Sequence, residues 1–157
     1  MKKINWLKLV VSLLICQVAG GIGSVFTAKS VSSWFLTLNK PSFNPPGWIF
    51  GPVWTILFLL MGYSLYLVWS KSNEPEAKKA LIFFSLQLVL NIAWSFCFFY
   101  LQNPLVAFIE IIILWLAILL TIIYFYKVSK VAAYFLIPYI AWVSFAAFLN
   151  FMLFYLN

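Results

Sequence analysis

Five stretches of the chain stay apolar for about 20 residues or more, the length at which an α-helix crosses the hydrocarbon of a bilayer. They run over 6–27, 49–70, 80–101, 104–126 and 131–155. None alternates apolar and polar residues at period two, as a membrane barrel strand does. Polar residues collect between the stretches: KSNEPEAKK at 71–79, Gln102-Asn103-Pro104, and Lys127 to Lys130. Three connections are therefore short, and the pattern predicts an all-α membrane protein. It reads as one five-helix transmembrane bundle over 1–157, with a long ordered loop between helices one and two.

That loop is the exception in the pattern. Residues 28–48 read AKSVSSWFLTLNKPSFNPPGW. Connections this long are uncommon in compact domains, and they serve as functional lids or stay disordered. Trp34, Phe35, Leu36, Leu38, Phe43 and Trp48 argue against disorder, which goes with low hydrophobicity. Pro41, Pro45 and Pro46 stiffen the backbone and restrict the residues before them. The loop is expected to lie as a cap over one end of the bundle.

Composition sharpens this picture. Hydrophobic residues make up 66% of the chain and charged residues 8%, against roughly 45–50% and about 25% in soluble domains. The net charge of +7 comes from lysines scattered in short connections. That pattern fits membrane topology and anionic headgroups, not nucleic acid. Lys2, Lys3, Lys8, Lys71, Lys78, Lys79, Lys127 and Lys130 fall on one side of a five-helix topology, and Lys29 and Lys40 on the other. The positive-inside rule then predicts a multi-pass protein of the cell membrane with a cytoplasmic N-terminus and an outside C-terminus. Lys2 and Lys3 also precede an apolar run as in a secretory leader, but Lys8 interrupts it and no A-x-A site follows. The segment is read as a helix.

Little conventional chemistry is available. The chain has no His, so it lacks the commonest general base and the usual axial ligand of haem. Cys16 and Cys97 lie singly in apolar runs and read as small hydrophobes, and no spacing proposes a metal site. No resident cofactor is expected. Glu110 is the one acid in an apolar segment. It lies about 9 Å along its helix from Pro104, within reach of the outer interface or of a neighbouring helix.

What the chain has in abundance is aromatic residues: 8 Trp, 8 Tyr and 17 Phe. Trp54, Phe58, Met61 and Leu65 share one face of helix two. Gln87, Asn91, Trp94 and Phe98 share a face of helix three, and Tyr139, Trp142, Ala146 and Asn150 a face of helix five. Amides are costly in hydrocarbon without partners, so these faces are expected to point inward. Trp54, Trp94 and Trp142 then line one interior space, with Asn91 and Gln87 as its polar points. Gly20, Gly21, Gly23 and Ser24 of helix one leave room on the fourth wall. Two readings stay open on spacing alone: helix packing, or an aromatic-walled pocket for a flat apolar ligand. GWIFG at 47–51 likewise marks either a dimer face or close packing of the loop onto helix two.

Several of these segments resemble the translocator protein family, whose bacterial members are the tryptophan-rich sensory proteins. The resemblance rests on Trp34-Phe35, KPSFNPPGWIFGPVWT at 40–55, Met61-Gly62-Tyr63, QLVLNIAWSFCFF at 87–99 and PYIAWVSFAAFLN at 138–150. It implies a five-helix bundle, often a homodimer, with a ligand pocket under the first loop. It implies binding of porphyrins, notably protoporphyrin IX, and of isoquinoline and benzodiazepine ligands. It also implies light-dependent porphyrin breakdown involving Trp54 and Trp142. Asn91, Trp94 and Ala146 occupy further positions of the family pattern. The residues expected to face ligand are thus Gly23 of helix one, Trp34, Phe35, Pro45 and Trp48 of the cap, and Trp54 and Phe58 of helix two. Gln87, Asn91, Trp94, Trp142 and Ala146 complete them. The chain departs from the family at Phe35 and Phe43, where Tyr and Trp are usual, and no basic residue follows Tyr155 as the sterol pattern requires.

Three functions follow as expectations. The first is a tetrapyrrole-binding sensor or scavenger. The second is an enzyme that oxidises bound porphyrin in light. The third is a transporter of porphyrins or other small apolar molecules, although the chain lacks internal repeats.

Overall fold

The computed structural model describes residues 3–157; Lys2 lies outside them. Seven α-helices and one π-helical turn follow in order. Helix α1 (Trp6–Ser30) starts at Asn5, whose side chain accepts from the Lys8 amide at 3.0 Å. This satisfies one of the amide groups that a helix start leaves without a partner. After the short α2 (Trp34–Thr37), α3 runs from Gly47 to Trp69. Helix α4 (Ala77–Ser95) continues directly as a π-helical turn over Phe96–Tyr100. Helix α5 (Pro104–Val128) has Asn103 as its cap and proline in its first turn, where the missing N–H costs no bond. The last apolar stretch holds α6 (Lys130–Phe135) and α7 (Ile137–Leu156).

The boundaries correct the sequence reading at several helix ends: α4 already starts at Ala77 and α5 runs on to Val128. Residues 28–30 belong to α1, because nothing before Val31 breaks the helix and the Ser30 hydroxyl is tied to the Phe99 carbonyl at 2.6 Å. Residues 47 and 48 belong to α3, so the connection shrinks to 31–46 and itself contains α2. The fifth stretch is not one helix: it is interrupted at Leu136, two residues before Pro138, which cannot donate to the helical ladder.

Five spans are long and apolar enough to cross a membrane: Trp6–Ser30, Gly47–Trp69, Ala77–Tyr100, Pro104–Val128 and Lys130–Leu156. Large apolar side chains such as Val18, Val25, Val89, Ile109 and Ile113 are exposed on their outer faces, as lipid contact requires. The protein is a multi-pass membrane protein. Cys16, Met61, Phe84, Ile118, Phe125 and Tyr139 form the buried centre. At one end, Lys8 Nζ reaches the Trp69 carbonyl at 3.1 Å and Lys71 Nζ the Val128 carbonyl at 3.2 Å. At the other end, Asn39 and Asn157 exchange hydrogen bonds of 2.8 and 3.0 Å. Lysines at α-helix ends thus tie down free carbonyls, a favourable arrangement for the helix dipole.

Helices α1 and α3 pack backbone against backbone at Gly62. A Cβ there would lie 2.8 Å from Leu13 Cα and 3.1 Å from the Ser12 carbonyl oxygen. Backbone cannot yield as a side-chain tip can, so Gly62→Ala is expected to push the helices apart and destabilise the bundle by about 1–3 kcal/mol. A lowered thermal unfolding midpoint in detergent is the expected readout. An unchanged midpoint would contradict this packing.

Candidate ligand-binding cavity

Away from Gly62 the same two helices separate, and the space between them opens into a cavity of about 610 Å³. Helix α3 contributes Phe50, Trp54 and Phe58, one turn apart and therefore on one face. Helix α4 and its π-turn contribute Asn91, Trp94, Ser95 and Phe98; α7 contributes Trp142, Ala146, Leu149 and Asn150. Gly20, Gly23 and Ser24 of α1 form the fourth wall, and Val31 and Phe35 border the cavity from the connecting segment. The glycines set the width. A Cβ on Gly20 would lie 2.7 Å from Phe58 Cδ2, and one on Gly23 would lie 3.2 Å from Ser95 Oγ.

The aromatic walls are held by one another. Trp54 packs against Phe58 with ring centroids 5.7 Å apart and edge-on to Tyr139 at 6.3 Å. Trp142 meets Phe50 at 6.0 Å and Phe145 at 5.5 Å. Trp94 stacks on Phe98 at 5.3 Å, and its indole N–H donates to Asn150 Oδ1 at 3.0 Å. The Asn150 amide in turn donates to the Pro104 carbonyl at 2.8 Å. This last bond pins the start of α5 to α7 and fixes the plane of Trp94.

Below the aromatic walls lies a polar chain. Asn91 Nδ2 donates to the Tyr139 hydroxyl at 2.7 Å, and that hydroxyl donates to Gln87 Oε1 at 2.8 Å. Gln87 is therefore not a wall of the cavity. It is 1% exposed and lies one turn beneath Asn91, where it holds Tyr139. The indole N–H of Trp142 and both carboxyl oxygens of Glu110 are among the buried polar atoms that have no hydrogen-bond partner among the described residues. Glu110 does not line the cavity.

The structure thus brings Gly23, Phe35, Trp54, Phe58, Asn91, Trp94, Trp142 and Ala146 to one space. Trp34, Pro45, Trp48 and Gln87 stand outside it. Trp34 packs edge-on against Phe98 at 5.5 Å, behind the wall. Trp48 is 75% exposed, and Pro45 does not reach the cavity lining. Sequence reasoning missed Phe50 and Gly51. The signal was present: Phe50 is four residues before Trp54, on the same stripe, but a helix start at 49 made it look like a terminus. Gly47 and Gly51 do not pack closely on the connecting segment, since a Cβ on either would meet nothing within 4 Å. They form part of an opening. Gly21, Ser24 and Ala28 on α1, with Gly47, Gly51 and Thr55 on α3, are all small, exposed and on the cavity lining. Gln17 Nε2 closes the narrow end with a 3.3 Å bond to the Thr55 carbonyl.

Comparison with known proteins places these features in a wider set. The model of the TspO/MBR family matches residues 12–156. The tryptophan-rich protein TspO of Archaeoglobus fulgidus is 46% identical over 153 residues, covering 98% of this chain and 99% of the relative. Protein CrtK of Rhodobacter capsulatus is 33% identical over 148 residues, 94% of this chain and 91% of the relative. The human translocator protein is 37% identical over 132 residues, 83% of this chain and 78% of the relative. With the family match spanning nearly all five membrane helices and the cavity walls they carry, the chain belongs to the TspO/MBR family.

Proposed function

We propose that the protein binds a flat tetrapyrrole, protoporphyrin IX or a close chemical relative, in the cavity between α1, α3, α4 and α7. The supporting observation is the convergence of Trp54, Trp94 and Trp142 on one space of about 610 Å³, within the usual range of about 300–1,000 Å³ for small-molecule pockets. Indole faces stack on a conjugated macrocycle, and such ring pairs contribute about 0.5–1.5 kcal/mol each beyond area burial. Asn91 and Asn150 supply the few polar points that orient a largely apolar ligand. Isoquinoline and benzodiazepine ligands, as in the family, share the flat apolar chemistry.

In this reading residues 31–46 cap the cavity. Phe35 borders it, and the Lys40 ammonium sits 4.8 Å from the Phe35 ring centroid. Lys40, with Lys29, is the partner we assign to porphyrin propionates. The gap between α1 and α3 faces lipid, so a ligand dissolved in the bilayer enters sideways. The opposite end of the bundle is filled by Phe84, Ile118 and Phe125. Capture and sensing therefore fit better than transport across the membrane. The protein acts in the cell membrane as a homodimer with a cytoplasmic N-terminus, as the lysine distribution and the family resemblance favour.

Holding a photosensitiser against indoles has a chemical consequence. In light, the excited porphyrin takes an electron from Trp54 or Trp142, which border the cavity, and passes it to oxygen, and the reduced oxygen then oxidises the ring. The double change Trp54→Phe and Trp142→Phe keeps aromatic walls but removes both indoles. Illuminated protein in lipid nanodiscs is expected to consume protoporphyrin IX faster than empty nanodiscs. The double variant is expected to lose most of that excess. Equal bleaching in empty nanodiscs would overturn the degradative reading while leaving binding intact.

A further inference from the structure

At the lysine-bearing end, α1, α3 and α4 enclose a second recess of about 240 Å³ that shares no lining residue with the cavity. Its walls are apolar: Ile15 from α1, Leu65 and Trp69 from α3, Leu81 and Phe84 from α4. Ser85 also lines it, but its hydroxyl is turned back onto the Leu81 carbonyl at 2.9 Å. No polar side chain in the recess asks for a polar ligand, and within a membrane span the matching occupant is an acyl chain.

The rim distinguishes this recess from the rest of the lipid-facing surface. Lys8 lies two turns before Ile15 on α1, and its ammonium sits 5.4 Å from the ring centroid of Trp69, a wall of the recess. Lys78 lies two turns before Ser85 on α4, on the same stripe of that helix. Among the described residues the one ion pair is Lys79 with Glu76 at 3.8 Å. Lys8 and Lys78 have no acidic partner. The Lys8 ammonium beside Trp69, with Lys78 on the recess stripe of α4 near the end of its span, complements a phosphodiester above an acyl chain. A zwitterionic headgroup brings its own cation to the same place and loses most of that attraction.

We infer that this recess is a binding site for one anionic glycerophospholipid, with an acyl chain against Trp69, Leu81 and Phe84 and the phosphate between Lys8 and Lys78. Each lysine near an anionic headgroup strengthens binding about fivefold. The test is native mass spectrometry of the full-length protein in detergent, titrated with dioleoyl phosphatidylglycerol or with dioleoyl phosphatidylcholine. The expected result is one tightly held phosphatidylglycerol and weaker, unspecific phosphatidylcholine. Lys8→Gln and Lys78→Gln are each expected to weaken phosphatidylglycerol about fivefold. Ser85→Phe, which fills the recess, should remove the tight site, and Lys127→Gln at the same end should change nothing. Lys78 is exposed, so Lys78→Gln folds normally and keeps the test decisive. Equal affinity for the two lipids would overturn the assignment, as would a loss with Lys127→Gln equal to that with Lys78→Gln.

Discussion

Tyr139→Phe is expected to cost the bundle about 2–5 kcal/mol, because it strands two buried amides at once. Tyr139 is 0% exposed, and its hydroxyl both accepts from Asn91 and donates to Gln87, at 2.7 and 2.8 Å. Removing one oxygen leaves an amide donor and an amide acceptor unsatisfied where water cannot replace it. The effect reaches the cavity, since Asn91 lines it and Trp54 packs edge-on against the Tyr139 ring. A marked fall in the thermal unfolding midpoint in detergent is the expected observation. Adding Gln87→Met to Tyr139→Phe removes one stranded amide along with its partner and should recover part of the loss, a non-additivity that contacting residues show. A Tyr139→Phe protein as stable as the parent would mean that this polar chain holds nothing.

Ala146→Leu is expected to weaken porphyrin binding by 10- to 100-fold while leaving the fold intact. Ala146 is half-buried on α7 and faces the cavity between Trp142 and Asn150. The added branches project into open space, so the protein has little to rearrange. A bound macrocycle does have to shift, and overfilling a packed site costs about 1–3 kcal/mol, close to one or two decades in Kd. Equilibrium titration of both proteins, with helical circular dichroism as the check on folding, measures this directly. Unchanged affinity would remove α7 from the binding wall.

The sequence made the spans and the inward faces legible for one reason. In a bilayer, polar side chains facing lipid are costly, so amides at helical spacing, and the residues one turn from them, mark the interior. Trp54, Asn91, Trp94, Trp142 and Ala146 were readable in this way, and all five border the cavity. Gln87 shows the limit of the same rule: periodicity puts it on the face of Asn91, yet cannot say that Tyr139 of another helix occupies it. The break at Leu136 was hidden because the residues around it are uniformly apolar. Trp48 looked like part of the cap on composition, but its exposure depends on the direction in which α3 starts. The pairing of Asn150 with the Pro104 carbonyl joins residues 46 apart in sequence, beyond what helical spacing can report. The opening between α1 and α3 arises from small residues with nothing opposite them, and sequence does not show what lies opposite.

A dark titration of purified protein with protoporphyrin IX tests most directly whether one flat ligand lies among three indoles. Tryptophan fluorescence is the signal, because Trp54, Trp94 and Trp142 border the cavity while Trp6 and Trp48 are exposed elsewhere. Saturable partial quenching at one porphyrin per chain, weakened by Ala146→Leu and reduced in amplitude by Trp142→Phe, is the predicted result. Quenching that does not saturate, or that saturates identically in both variants, would contradict the cavity as the binding site and return its aromatic walls to a role in helix packing.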